Sequence, residues 1–297
     1  MNHKRIVDTL NPLHVGLANH VSTSPIGDSE KTPPIFYDAV KLEEEPKFAH
    51  NFEWYKLLSA NNYSVKELKK CNMLDKLIEF GDSYTEESQF PPDFVKCARL
   101  HKLLQLFEPS HILELGSGTS TLVISNYLKD KNKETSGESI QSLTVERSSD
   151  WLHLTINKIK SVIGDYPVNH KYYSHNTDEE TIDTLEKFSE SSKTLYIYLD
   201  SVVLDEEKHQ GLDLVEKIIS NVTGKVVIHI DVRTTAIQEL GPMLNRHNLQ
   251  GTRYTNFIKP IYTKDIRGDF QLVKRAFARF YWPSMTYYTV AVIDSVN

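Results

Sequence analysis

From residue 111 onward, apolar runs of strand length alternate with segments whose apolar residues recur at helical spacing. The predicted strands are 111–115, 143–146, about 168–174, 195–199 ending at Asp200, and 226–230 ending at Asp231. Runs this continuously apolar suit strands buried on both faces of a mostly parallel sheet. Leu122, Val123, Ile124, Tyr127 and Leu128 predict a helix after the first strand. Leu152, Ile156, Ile159 and Ile163 predict another over 150–163, capped by Ser149 or Asp150 and stopped by Gly164. Thr177 with Glu180 three residues later has the form of a capping box for the next helix. A helix at about 234–247 and strand-like segments at 253–261 and 286–293 complete the series.

The first third reads differently. Residues 1–50 lack a clear period and hold Pro25, Pro33, Pro34 and Pro46 with the acidic run Glu43-Glu44-Glu45, which predicts an extended or partly disordered arm. Residues 51–82 turn helical, and Pro91-Pro92 introduces a helix from about Asp93 to Phe107 with Phe94, Cys97, Leu100, Leu104 and Phe107 on its apolar face. The expected organisation is an N-terminal arm and helical extension over 1–90 and a doubly wound α/β domain over 91–297.

At 297 residues the chain is long enough for one large α/β domain or a core with a smaller addition. A net charge of −6 argues against a general nucleic-acid binder. Cys71 and Cys97 are too few for a zinc site and read as buried free thiols. No signal-peptide core and no long apolar span are visible, so the expectation is a soluble, cytoplasmic protein without a membrane segment.

The most informative stretch is HILELGSGTST, residues 111–121. A strand ends beside Glu114, turns through Gly116, Ser117 and Gly118, and enters a helix at Thr119, Ser120 and Thr121. Glycines there let a ligand approach the backbone, Thr119 or Ser120 is placed to cap the helix, and a helix N-terminus offers N–H groups to that ligand. A dinucleotide fingerprint requires a third glycine where this chain has Thr121. Glu114 has the wrong sign for a pyrophosphate and the right sign for a positively charged ligand.

ELGSG resembles the first motif of the class I S-adenosylmethionine-dependent methyltransferases, in which acid-x-Gly-x-Gly closes the first strand. The resemblance covers about residues 93–297. It implies a Rossmann-like seven-stranded sheet of order 3-2-1-4-5-7-6, S-adenosyl-L-methionine as cofactor, and transfer of its methyl group to an acceptor. Glu114, Gly116, Ser117, Gly118, Thr119 and Ser120 then belong to the cofactor site. Glu146, closing the second strand, is the expected acceptor of the ribose hydroxyls. Asp200 matches the acid after the fourth strand, beside the methyl group and the acceptor. In metal-assisted relatives, acids after strands four and five hold Mg2+, and Asp200 and Asp231 occupy those positions. This chain departs from that pattern at Val232, where a third ligand would follow.

Four strands end in an acid, and four carboxylates on one sheet edge repel one another unless a ligand or cation lies among them. Arg233 is placed to pair with Asp231 or to clamp an anionic substrate. His209, after Asp200, is the candidate base on the acceptor side; His175 is a weaker one, and His229 reads as a core histidine. Residues 253–279 are locally basic, which suits either an anionic acceptor or a solvated helix. The expected acceptor is a small-molecule or glycan hydroxyl, with O-methylation favoured and a homodimer compatible with the sequence. The alternatives are a non-catalytic S-adenosylmethionine-binding protein and a nicotinamide-dependent reductase.

Overall fold

A computed structural model of the chain describes residues 3–13, 22–26, 54–82, 93–134, 139–164, 167, 169–174, 179–200, 210–219, 221–231, 234–256 and 288–294. Its centre is set by apolar runs that form strands buried on both faces. These are β2 (His111–Leu115), β3 (Gln141–Glu146), β5 (Thr194–Leu199) and β6 (Lys225–Asp231). With β4 (His170–Ser174) they make a parallel block. Two antiparallel strands follow, β7 (Gly251–Asn256) and β8 (Tyr288–Ile293), with β8 between β6 and β7.

The sheet has eight strands, in the order β1-β7-β8-β6-β5-β2-β3-β4. Seven of them reproduce the expected order 3-2-1-4-5-7-6. The eighth corrects the seven-stranded expectation: β1 (Ser22–Ile26, STSPI) pairs antiparallel with β7 at the sheet's edge. It lies in the stretch read from sequence as an arm. So does α1 (His3–Leu10), whose Ile6 and Leu10 join the same core as the sheet strands. A mixed, proline-bearing segment is stable here because an edge strand needs only one hydrogen-bonded side, which Pro25 tolerates.

Helices cover both faces. In chain order they are α2 (Trp54–Lys70), α3 (Leu74–Asp82), α4 (Phe94–Phe107), α5 (Thr119–Glu134), α6 (Ser149–Ile163), α7 (Glu179–Glu190), α8 (Gln210–Ile219) and α9 (Thr234–Arg246). Helix α4 packs against α1, α2 and α5. Asp93 caps it, accepting from the Val95 N–H at 3.0 Å and the Lys96 N–H at 3.1 Å. Helix α6 is capped by Ser148, one residue before the predicted cap, and Gly164 ends it at φ 73°. Each fully buried Leu, Ile or Val contributes about 1.5–3 kcal/mol. The run of such residues through β2, β5 and β6 therefore anchors the strand ends that carry the acids. Cys97 is buried and Cys71 half-buried, both as free thiols. Among the described residues, no helix is long and apolar enough to cross a membrane.

Candidate functional site

Strand order reverses between β2 and β5, with β3 beyond β2 and β6 beyond β5. In doubly wound sheets this is where a crevice opens at the carboxyl ends of the strands. The glycine turn lies there. Gly116 has φ 98° and Gly118 φ 155°, values that an L side chain rarely adopts. A Cβ placed on Gly118 meets nothing within 4 Å, so its side-chain direction is open.

The turn's donors are occupied from within. The Ser117 N–H donates to Glu146 Oε2 at 2.8 Å and its hydroxyl to the same oxygen at 3.0 Å. The Gly118 N–H donates to Thr121 Oγ1 at 2.9 Å, so the hydroxyl that accepts at this turn belongs to Thr121 and not to Thr119 or Ser120. The Gly116 N–H continues the ladder to the Val145 carbonyl at 2.8 Å, and the Trp151 indole donates to the Ser117 carbonyl at 2.9 Å. Glu146 also accepts from the Ser148 N–H through Oε1 at 3.1 Å. A carboxylate has about four lone-pair sites, so Oε1 keeps one while Oε2 is filled. Glu146 can thus take one further hydroxyl and not both of a ribose.

The four acids are accommodated in three different ways. Glu146 is bound by backbone amides. Glu114 is fully buried, with Oε2 lying 2.7 Å from the Thr144 hydroxyl and Oε1 without a hydrogen-bond partner. Burial pushes its carboxyl up to about 7, against the hydroxyls of Ser120, Thr144 and Thr121, which favour the ionised form. It is one residue short of the strand end and lies beneath the turn. Ser120 is buried beside it, whereas Ser117 and Thr119 are part-exposed.

Asp200 and Asp231 are paired with cations of α4. Lys96 Nζ donates to Asp200 Oδ2; the two side chains are 18% and 21% exposed. Arg99 Nη2 donates to Asp231 Oδ1 at 2.6 Å, with both side chains at 0% exposure. Tyr198 donates its hydroxyl to Asp231 Oδ2 at 3.0 Å, and the Arg99 guanidinium stacks over the Tyr288 ring at 4.1 Å. Burial pushes Asp231 up, but Arg99, then His229 and Lys96, hold it well below the usual carboxylate range. Burial likewise acts to lower Lys96, and Asp200 and then Asp231 outweigh it, so the ammonium persists above its ordinary range.

These pairings speak against the metal expectation. Asp231 is inaccessible and both its oxygens are engaged by Arg99 and Tyr198. Among the described residues, no group of three or more His, Cys, Asp or Glu is placed to hold a metal ion. The residues present therefore do not fit Mg2+. The pairing expected between Asp231 and Arg233 is made with Arg99; Val232 and Arg233 lie outside the described residues, as do His175, His209 and most of 253–279. Asp231 is a buried anchor and has no access to an acceptor. His229 is the core histidine that the sequence suggested: Nδ1 lies 2.8 Å from the Tyr196 hydroxyl and burial lowers its pKa. Its Nε2 is 3.2 Å from Asp231 Oδ2 without the alignment of a hydrogen bond. A signal for α4 was present in the sequence. Lys96 and Arg99, three residues apart, interrupt an otherwise apolar helix face, and cations there demand acids opposite.

No protein-family model matches the chain, and no curated protein matches it. Among solved structures it is similar to the S-adenosylhomocysteine-bound methyltransferase PaMTH1 of Podospora anserina, at 16% identity over 56% of this chain and 69% of that one, with a TM-score of 0.36. It is similar to a provisionally named O-methyltransferase from Klebsiella pneumoniae at 13% identity over 80% and 97% of the two chains, TM-score 0.44. It is also similar to a SAM-dependent methyltransferase from Agrobacterium tumefaciens at 10% identity over 69% and 63%, TM-score 0.40. Likenesses this distant carry no activity across to the chain.

Proposed function

We propose that the chain is a class I S-adenosyl-L-methionine-dependent methyltransferase acting on a small-molecule or glycan hydroxyl. One observation carries the reading. The two amides that a phosphate would use, Ser117 N–H and Gly118 N–H, are held by Glu146 and Thr121. A nicotinamide dinucleotide needs that turn for its pyrophosphate and a third glycine where Thr121 is fully buried. A nucleoside with no phosphate and with positive charge suits the same turn. Gly118 leaves room for it, Glu146 Oε1 has a lone pair for a ribose hydroxyl, and the Glu114 carboxyl lies below.

When bound, S-adenosyl-L-methionine supplies a methyl group already activated on sulfonium, so the protein's work is alignment and exclusion of water. The turn and Glu146 fix the nucleoside end. Asp200, part-exposed after β5 and paired with Lys96, is the acid left to the acceptor side in this reading. The chain's net charge of −6 supports a small or glycan acceptor over a nucleic acid. Binding is tested by thermal denaturation, since a ligand of the folded state alone raises the melting temperature. S-adenosylhomocysteine is expected to raise it, and NAD and NADP to leave it unchanged. A rise with NAD and none with S-adenosylhomocysteine overturns the reading.

A further inference from the structure

The buried acid beneath the glycine turn begins a hydrogen-bonded chain that methyl transfer itself does not require. Thr144 Oγ1 lies 2.7 Å from Glu114 Oε2 and 2.7 Å from His170 Nε2. His170 Nδ1 lies 3.2 Å from Ser125 Oγ, which lies 2.7 Å from the Thr121 carbonyl. Glu114, Thr144 and Ser125 are 0% exposed and His170 is 4% exposed. Burial pushes the His170 imidazole down to about 3, so the ring is neutral and carries one proton.

With one proton per hydroxyl, the chain can run in two directions. In the first, Glu114 is a carboxylic acid. It donates to Thr144, Thr144 to His170 Nε2, His170 Nδ1–H to Ser125, and Ser125 to the Thr121 carbonyl. In the second, Glu114 is a carboxylate. His170 Nε2–H donates to Thr144, Thr144 to Glu114, and Ser125 must turn its proton away from Thr121 to reach His170 Nδ1. Ser125 sits closer to the carbonyl than to the ring, which matches the first direction. That direction also makes Glu114 Oε1 the carbonyl of a neutral acid, whereas an unpartnered oxygen of a buried carboxylate is far costlier.

Glu114 is faced by Thr144 from β3, Ser120 and Thr121 from α5, Tyr172 from β4 and Asp200 after β5. The charged member of that set, Asp200, further disfavours a second negative charge. A ligand ammonium at the turn would reverse the balance, because an opposite charge a few ångströms away favours the ionised form.

We infer that Glu114 is a neutral acid in the free protein and releases its proton to solvent when a ligand brings positive charge to the glycine turn, while His170 changes tautomer through Thr144. The inference rests on the cofactor reading above. One proton leaves and one positive charge arrives, so charge balances. His170 is here a positioning residue, acting on the ligand through Thr144 and Glu114.

Two probes separate this from the parent reading. S-adenosylhomocysteine carries an ammonium; 5′-methylthioadenosine has the same adenosine and thioether without one. Titration calorimetry on the full chain, in buffers of different ionisation enthalpy, is expected to show about one proton released per S-adenosylhomocysteine at pH 6. Its affinity should rise about tenfold from pH 6 to pH 8, following the fraction of protein in the ionised form. 5′-Methylthioadenosine should release no proton and bind alike at both values. Nitrogen-15 spectra of histidine should show His170 with its proton on Nδ1 in the free protein at pH 6 and on Nε2 in the S-adenosylhomocysteine complex. Glu114→Gln should abolish the proton release and the pH dependence, and Thr144→Val should stop the tautomer from following the ligand. Equal pH dependence for both probes, or an Nε2–H tautomer in the free protein at pH 6, overturns the inference and leaves the cofactor reading standing. Failure of both probes to bind overturns the cofactor reading and the linkage with it.

Discussion

Arg99 of α4 and Asp231 at the end of β6 form an ion pair at 2.6 Å with neither side chain exposed. Its formation ties the helix preceding the glycine turn to β6, two strands along the sheet from β2. Removing one partner of a buried pair typically costs about 3–5 kcal/mol, because the other charge is left unpaired. Arg99→Met and Asp231→Leu should each lose stability on that scale in urea denaturation, and the double variant should be more stable than either. Additive losses in that cycle would show the two residues to be energetically independent.

The ion pairs made by Asp200 and Asp231 predict that no metal ion acts at these acids. EDTA should leave S-adenosylhomocysteine binding and any methyl transfer unchanged, and added magnesium should do nothing. Loss of transfer on chelation, restored by magnesium, would contradict the engagement of both Asp231 oxygens by Arg99 and Tyr198.

Glu146 has a double load, holding the Ser117 amide and offering one lone pair outward. Glu146→Ala should therefore reduce both the melting temperature and S-adenosylhomocysteine affinity, the latter by roughly tenfold or more, the scale of a charge-assisted hydrogen bond. Ser117→Ala removes only the 3.0 Å hydroxyl contact and should be mild. Gly118→Val should abolish binding, since the added side chain enters the open space beside the turn; it also carries a backbone strain of about 1–3 kcal/mol. Calorimetry beside thermal melting separates the two effects, and wild-type affinity in Gly118→Val would displace the site.

Glu114 gives a pH signature of unusual sign. Its folded pKa, about 7, lies above the unfolded value of 4.5. The folded state then binds more protons between those values. Its contribution is fully present below the unfolded value and is lost as pH rises through 7, by about 3 kcal/mol at most. His170, lowered to about 3 by burial, acts oppositely: its neutral folded form is favoured above the unfolded value near 6.5, and that stability is lost as pH falls. The two oppose each other in mild acid. The measurable quantity is the difference between wild type and Glu114→Gln, which should shift in favour of the variant as pH rises from 5 to 8. A pH-independent difference would mean that Glu114 ionises as freely in the folded chain as in the unfolded one.

The parallel strands and the glycine turn were legible because they rest on local signals: continuous apolar runs, and glycines where φ is positive. The strand order came with the family resemblance. The first edge strand was hidden, since STSPI has neither alternation nor bulk and becomes a strand only by pairing with β7. The fate of the acids was half legible. Their convergence on one edge followed from sequence, and so did the need for something to offset their charge. That the offset comes from Lys96 and Arg99 depends on how α4 lies across β5 and β6, a tertiary fact. His170 and Thr144 gave no sign, because strand neighbours two elements apart in sequence reveal their register only in the folded sheet.

The pairing of β1 with β7 bears on how the molecule is assembled during synthesis. The segment that completes the sheet's edge is made well before its partner strand and before β8, which joins that pair to β6. Until residues 251–256 emerge, the backbone groups of 22–26 have no sheet to join. The parallel strands β2 to β6 can pair before that, as domains and their parts generally organise in order of emergence. The joining of 22–26 to 251–256 therefore comes late in folding, and a chain lacking 22–26 would leave β7 as a bare edge open to pairing with another chain.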